Sequence, residues 1–133
     1  MIVIDASAIT KYVLKEEHRE QVRDYLTAEP CSLDLALAEV SNAIWKHQVI
    51  CRKISSSEAT LLFKALQKLG ADVLILESFV WYLRSATEIA VKEKLTIYDA
   101  LYIVQAQKYG HFVTSDDLQR KICLLYTSPS PRD

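Results

Sequence analysis

Glycine is nearly absent from this chain: its 133 residues include two, Gly70 and Gly110. Dinucleotide-binding and P-loop motifs need several glycines to bring backbone N–H groups onto phosphates, so a nucleotide-cofactor enzyme is not expected. Cysteine is also scarce. Cys31, Cys51 and Cys123 are odd in number and far apart, which suits a reducing cytoplasm with structural or incidental thiols. No apolar run approaches the roughly 18 residues of a membrane span, and no basic leader precedes the first apolar stretch. His18, His47 and His111 form no HExxH or HxxH pair, which argues against zinc. No GxSxG elbow is present. Neither sign of charge dominates: 16 basic and 17 acidic residues leave a formal net charge of −1, so net charge does not advertise nucleic-acid binding.

What remains is ordinary globular composition, half hydrophobic and a quarter charged. It is long enough for one domain with a core that needs no staples. The chain opens on MIVIDAS. Four uninterrupted apolar residues ending at Asp5 suit a strand covered on both faces, as in a parallel sheet. Asp5 then falls at the strand's C-terminal end, the edge where ligands collect in open α/β sheets.

The rest of the pattern predicts alternating elements. Ser7 is placed to cap a helix running to about Lys15. A second helix follows from Glu17 to about Ala28, with Val22, Tyr25 and Leu26 inward. Cys31–Leu33 reads as a short extended piece and Asp34 to about Ile50 as a long helix. Ser55 and Glu58 form a capping box. The helix they open turns Leu61, Leu62, Leu66 and Leu69 inward and closes on Gly70. Asp72–Leu76 reads as a second buried strand. Ser78 to about Glu93 reads as a helix with Val80, Leu83, Ile89 and Ala90 in contact. Thr96 opens a helix over Ile97–Tyr109 that Gly110 closes. His111–Thr114 is a short strand, followed by a last helix to Ile122. Strands alternating with helices imply an α/β fold with a parallel sheet.

Four acids stand out by position. Asp5 ends the first strand. Glu39 lies mid-helix on a largely apolar stripe, where an unpaired carboxylate is costly. Asp99 sits in the first turn of an apolar helix. Asp116 follows the strand His111–Thr114. Each has a local reading as well: Asp5 as turn residue or cap, Glu39 as surface residue, Asp99 as capping-box partner of Thr96, Asp116 as N-cap. Together they suggest converging carboxylates, which repel one another without a counter-charge. A hard divalent cation such as Mg²⁺ supplies one. Asp5 and Asp99 are the best candidates for direct ligands, with Glu39 and Asp116 for a second ion or for orienting water. Lys46, His47, Arg52 and Lys53 read first as a solvated helix end and second as phosphate contacts. Tyr98, Tyr102 and Trp45 read as core or dimer contacts before base-stacking platforms.

MIVIDASAI, AEVSNAIW, TIYDALYIVQA and VTSDD, in this order and spacing, resemble the PIN-domain nucleases, most of all the small VapC-type toxins of toxin–antitoxin pairs. The resemblance runs from Met1 to about Ile122. It implies a three-layer α/β/α fold around a parallel sheet of about four strands. It also implies a metal site on Asp5, Glu39, Asp99 and Asp116, with Ser7, Asn42 and Thr114 as accompanying polar residues and Asp117 as a weaker further acid. The implied activity is Mg²⁺- or Mn²⁺-dependent cleavage of RNA by a cytoplasmic homodimer that a cognate antitoxin inhibits. Two other readings are a PIN-like RNA-binding or interaction module without catalysis and a Mg²⁺-binding receiver-like signalling domain.

The last eleven residues, Cys123–Asp133 (CLLYTSPSPRD), drop helical periodicity and become rich in Ser and Pro. They are similar, residue for residue, to a translated transposase library adapter. The expectation is a native domain over 1–122 and a non-native tail that stands in place of the family's last strand.

Overall fold

A computed structural model describes residues 1–15 and 19–116. The elements are β1 (Ile2–Ile4), α1 (Ala6–Val13), α2 (Arg19–Tyr25), β2 (Pro30–Leu33), α3 (Leu35–Trp45), α4 (Ser56–Lys68), β3 (Ile75–Glu77), α5 (Leu83–Glu93), α6 (Ile97–Tyr109) and β4 (Phe112–Val113). The four strands form one sheet in the order β3-β2-β1-β4, and every pairing is parallel. Parallel pairing requires crossovers, and the helices supply them. α1 packs on α2 and α3, and α3 on α4. α5 packs on α6, which lies against β1 and β2. This is the α/β fold with flanking helices that the alternating pattern predicts.

The strands explain why the opening run is apolar. β1 is interior, with Val3 paired to both Cys31 and Phe112; Val3 and Ile4 are wholly buried. β2 is buried along its length, and Pro30 stands at its first residue, a position a strand tolerates. β3 is different. It covers Ile75–Glu77 rather than Asp72–Leu76, lies at a sheet edge, and leaves Ile75 about half exposed. Asp72 and Val73 belong instead to a π-helical turn, Leu69–Val73, that extends α4.

Several helix ends also differ from expectation. The cap of α1 is Asp5, whose side chain accepts the Ala8 N–H; Ser7 lies inside the first turn, and the helix stops at Val13. α2 spans Arg19–Tyr25, with Val22 buried and Tyr25 exposed. The helix from Asp34 to Ile50 is α-helical to Trp45 and then winds as a π turn, Lys46–Ile50. The Ser55–Glu58 capping box is present in both directions, and Leu66 is buried, but Leu61 is 66% exposed. Gly70 does not close α4 in a left-handed conformation. Its role is close approach, since a Cβ there would lie 3.0 Å from Leu37 Cδ2. Phe79–Tyr82 is a 3₁₀ turn ahead of α5, with Val80 and Leu83 exposed while Ile89 and Ala90 are buried. Exposed apolar side chains are common on folded surfaces, so apolar character alone does not place Leu61, Val80 and Leu83 in the core.

α6 is as the sequence predicts. Thr96 caps it and Gly110 closes it with φ +82°. A Cβ on Gly110 would meet nothing within 4 Å, so Gly110→Ala should cost only the left-handed backbone penalty, about 1–2 kcal/mol. A drop in urea midpoint at unchanged slope would measure it; no drop would mean that α6 ends differently in solution.

The expected last helix to Ile122, Asp117 and the tail Cys123–Asp133 lie outside the described residues.

Candidate active site

Parallel strands end together, so one edge of the sheet gathers their C-terminal residues. The β1–β4 pairing sets the first contact. The Asp5 N–H donates to the Val113 carbonyl at 3.2 Å, which brings Thr114 beside Asp5. The Thr114 hydroxyl donates to Asp5 Oδ2. Ser7 Oγ donates to Oδ1 at 2.7 Å and the Ala8 N–H to the same oxygen at 3.0 Å. Ser7 Oγ in turn accepts the Ser115 N–H at 3.0 Å, and Thr114 Oγ1 accepts the Asp116 N–H at 3.0 Å. Ser7 and Thr114 thus tie the β1–α1 junction to the segment after β4.

Asp5 is 2% exposed. Burial pushes its carboxyl up to about 6, against three hydrogen bonds that favour the charged form and with a further push from the Asp99 charge. Glu39, on α3, accepts the Tyr102 hydroxyl at 2.7 Å. Its carboxyl is raised by burial and by the Asp99 charge, with the Tyr102 bond opposing. Asp99 is raised by burial and by the Asp116 charge, with Thr96 opposing. Its backbone N–H donates to Thr96 Oγ1 at 3.2 Å, so capping geometry and cleft position coexist at this residue.

All four acids line one cleft of about 220 Å³, with Ala6, Ser7, Thr10 and Tyr102. Among the described residues no basic side chain is in that lining. Asp5, Glu39, Asp99 and Asp116 come from four separate parts of the chain, which is what convergence of the sheet edge demands. Thr114 lies beside Asp5. Asn42 does not line the cleft and is exposed; it stands on α3 three residues past Glu39, on a turn that faces solvent. Lys46, Arg52 and Lys53 are exposed, and His47 is partly buried with Nδ1 3.2 Å from the Ala43 carbonyl. None of the four lines the cleft. Tyr102 is buried, as a core residue should be, but Tyr98 is 57% exposed and Trp45 is exposed as well. Sequence reasoning missed the hydroxyl of Tyr102 as the partner of Glu39. The available signal was its position three residues after Asp99, on the same helix face.

Among the described residues no three Asp, Glu, His or Cys side chains are close enough to enclose a metal ion. The donor set itself fits a hard cation: the acids that line the cleft offer only oxygen, and three of them are pushed toward the neutral form by burial and by one another. Mg²⁺ is usually held through one or two carboxylates with waters completing the shell, so three converging side chains are not required.

A parallel α/β domain with a carboxylate-lined cleft at the C-terminal edge of its strands is the class that fold and site define. The chain belongs to the PIN-domain family, whose model matches residues 2–125. It is similar to Ribonuclease VapC3 of Pyrobaculum aerophilum, with 34% identity over 126 residues, 89% of this chain and 90% of the relative. The receiver-like alternative finds no support in the sheet: β3 is an edge strand, and its last residue, Glu77, is not among the cleft lining.

Proposed function

We propose that the protein is a metal-dependent endoribonuclease of the VapC type. The observation that carries this reading is the convergence of Asp5, Glu39, Asp99 and Asp116 on one cleft. Membership of the PIN-domain family and similarity to a protein named as a ribonuclease support it. Asp5 and Asp99 would hold Mg²⁺ or Mn²⁺, with Glu39 and Asp116 as further oxygen donors. The cation, when bound, would offset the acids' mutual repulsion and activate water for in-line attack on a phosphodiester. The chain's own contribution is orientation. Ser7, Thr114 and the Ala8 N–H saturate Asp5 from the protein side and hold its plane. Tyr102 fixes one oxygen of Glu39 and leaves the other for the cleft.

RNA is the substrate this reading implies, and a cognate antitoxin and a second copy of the chain are the protein partners. Exposed Val80, Trp81, Ile97 and Tyr98 offer apolar surface for such contacts. Among the described residues no helix is long and apolar enough to cross a membrane; a cytoplasmic site of action belongs to the proposal.

The experiment is cleavage of single-stranded and structured RNA by purified protein with Mg²⁺ or Mn²⁺. Cleavage should stop with EDTA and return on adding excess Mn²⁺. Asp99→Asn should lose about 100-fold or more in rate with the far-UV spectrum unchanged. Cleavage that persists in EDTA, or full activity in Asp99→Asn, would remove the metal mechanism. Tight RNA binding with no cleavage under any metal would favour the non-catalytic binding module.

A further inference from the structure

α6 is buried on all sides along its middle, where seven successive residues from Ala100 to Ala106 are covered. Burial of apolar surface is not directional, so apolar packing alone specifies poorly how such a helix is rotated about its axis. The rotation matters, because Asp99 and Tyr102 have to face the cleft.

Polar contacts along one stripe of the helix supply the missing direction. Asp99, Tyr102, Gln105 and Tyr109 follow one another at spacings of three and four, the repeat of a single helix face. Tyr102 bonds Glu39. Gln105, fully buried, donates from Nε2 to the Ser32 carbonyl of β2 at 2.9 Å and to Glu77 Oε1 of β3 at 3.0 Å. Tyr109 donates to Glu77 Oε2 at 2.6 Å. Glu77, at the end of the edge strand, is itself held by the Tyr82 hydroxyl at 2.5 Å and by Lys108 at 3.5 Å. This buried carboxylate takes no part in the acidic cleft.

Gln105 also bears a cost. Its Oε1 has no hydrogen-bond partner among the described residues, and an unpaired buried acceptor is unfavourable. An aliphatic side chain would avoid that cost but would offer no bond direction, and buried polar networks are best attested where they select one arrangement.

We propose that Gln105 and Glu77 are positioning residues that lock the rotation of α6 and so aim Asp99 and Tyr102 into the cleft. The inference rests on the metal-site reading of that cleft for its functional consequence.

The test uses Gln105→Met, which keeps length and removes both donors. Three quantities are measured: Mn²⁺ affinity by EPR titration, backbone amide shifts of Asp99 and Tyr102, and the thermal midpoint. Mn²⁺ affinity should fall about ten-fold, as when a group that orients a metal ligand is lost. The Asp99 and Tyr102 resonances should move more than those of α4. kcat should fall while KM for RNA stays within about two-fold. Glu77→Gln keeps an oxygen for Gln105 and Tyr82 but loses the acceptor of Tyr109, so its Mn²⁺ affinity should fall less than that of Gln105→Met; a larger fall would overturn the central place of Gln105. Unchanged Mn²⁺ affinity and unmoved cleft resonances in Gln105→Met, whatever its thermal midpoint, would overturn the proposal. Should that variant fail to fold, Tyr109→Phe, which loses one hydroxyl of the same stripe, takes its place: a smaller shift of the same two resonances supports the lock and no shift overturns it. If the parent protein neither binds Mn²⁺ nor cuts RNA, the nuclease reading falls, and the resonances still decide whether the lock exists.

Discussion

Asp5→Asn should make the metal-free protein more stable while removing the proposed RNA cleavage. The two effects share one cause. Asp5 is 2% exposed in a cleft whose lining has no basic residue among the described ones, and burial lifts its carboxyl from 3.8 to about 6. A carboxylate with a raised folded pKa opposes folding once ionised. The protein is least affected below about pH 4, loses stability as the pH rises toward 6, and bears the full penalty at neutral pH. A rise of this size corresponds to about 3 kcal/mol as an upper figure, at about 1.4 kcal/mol for each tenfold change in proton affinity. Asparagine keeps an oxygen for Ser7 and the Ala8 N–H and never ionises, so about 1–3 kcal/mol should return at pH 7. Under the proposed metal mechanism the same change also removes a cation ligand, with an expected loss of about 100-fold or more in RNA cleavage.

Thermal denaturation with EDTA at pH 4, 6 and 8 checks the first half. The gap between variant and parent should be wide at pH 8 and close by pH 4. Under the proposed metal mechanism, adding Mg²⁺ should stabilise the parent protein and leave the variant where it was, because a ligand that binds only the folded state stabilises it. A gap independent of pH would mean that Asp5 is not the strained acid, and a destabilised variant at pH 8 would mean that its three hydrogen bonds outweigh its burial.

Ile4→Ala should be the most damaging of the core substitutions near the site. Ile4 is fully buried in β1, the strand between β2 and β4, and pairs with Val113. Removing its branched side chain deletes contacts on an interior strand that cannot easily collapse. The expected loss is about 2–5 kcal/mol, or a thermal midpoint lower by roughly 10 °C or more in a domain of this size. Its backbone carbonyl still accepts the Ser32 hydroxyl, so the sheet order should survive. Urea unfolding at constant slope would measure the loss. A change under about 1 kcal/mol would contradict an interior β1.

These two neighbours sort the information in the chain. Ile4 belongs to a run whose burial is legible because four consecutive apolar residues need cover on both faces. The ends of α6 are legible for a similar reason: Thr96 and Gly110 act on backbone groups within one turn. The Ser55–Glu58 box is legible because both of its bonds span three residues. Elsewhere local reasoning misplaces the detail. Gly70 has the residue type of a helix stop, yet its glycine serves the approach of Leu37 from another helix. Leu61 and Val80 have core chemistry but are exposed among the described residues. Ser7 looks like the cap of α1, whereas Asp5 caps it and Ser7 braces Asp5.

The sequence by itself determined the alternation of strands and helices and most helix starts, and it singled out four acids by position. It did so because those signals are carried by residues within about four positions of one another. Only the tertiary structure decided that the four acids share a cleft, that Thr114 closes on Asp5 across 109 positions, and that Tyr102 reaches Glu39 across 63. Those contacts depend on strand order and on the rotation of α6, which no local pattern encodes. They arise only when the parallel strands bring their C-terminal ends to one edge.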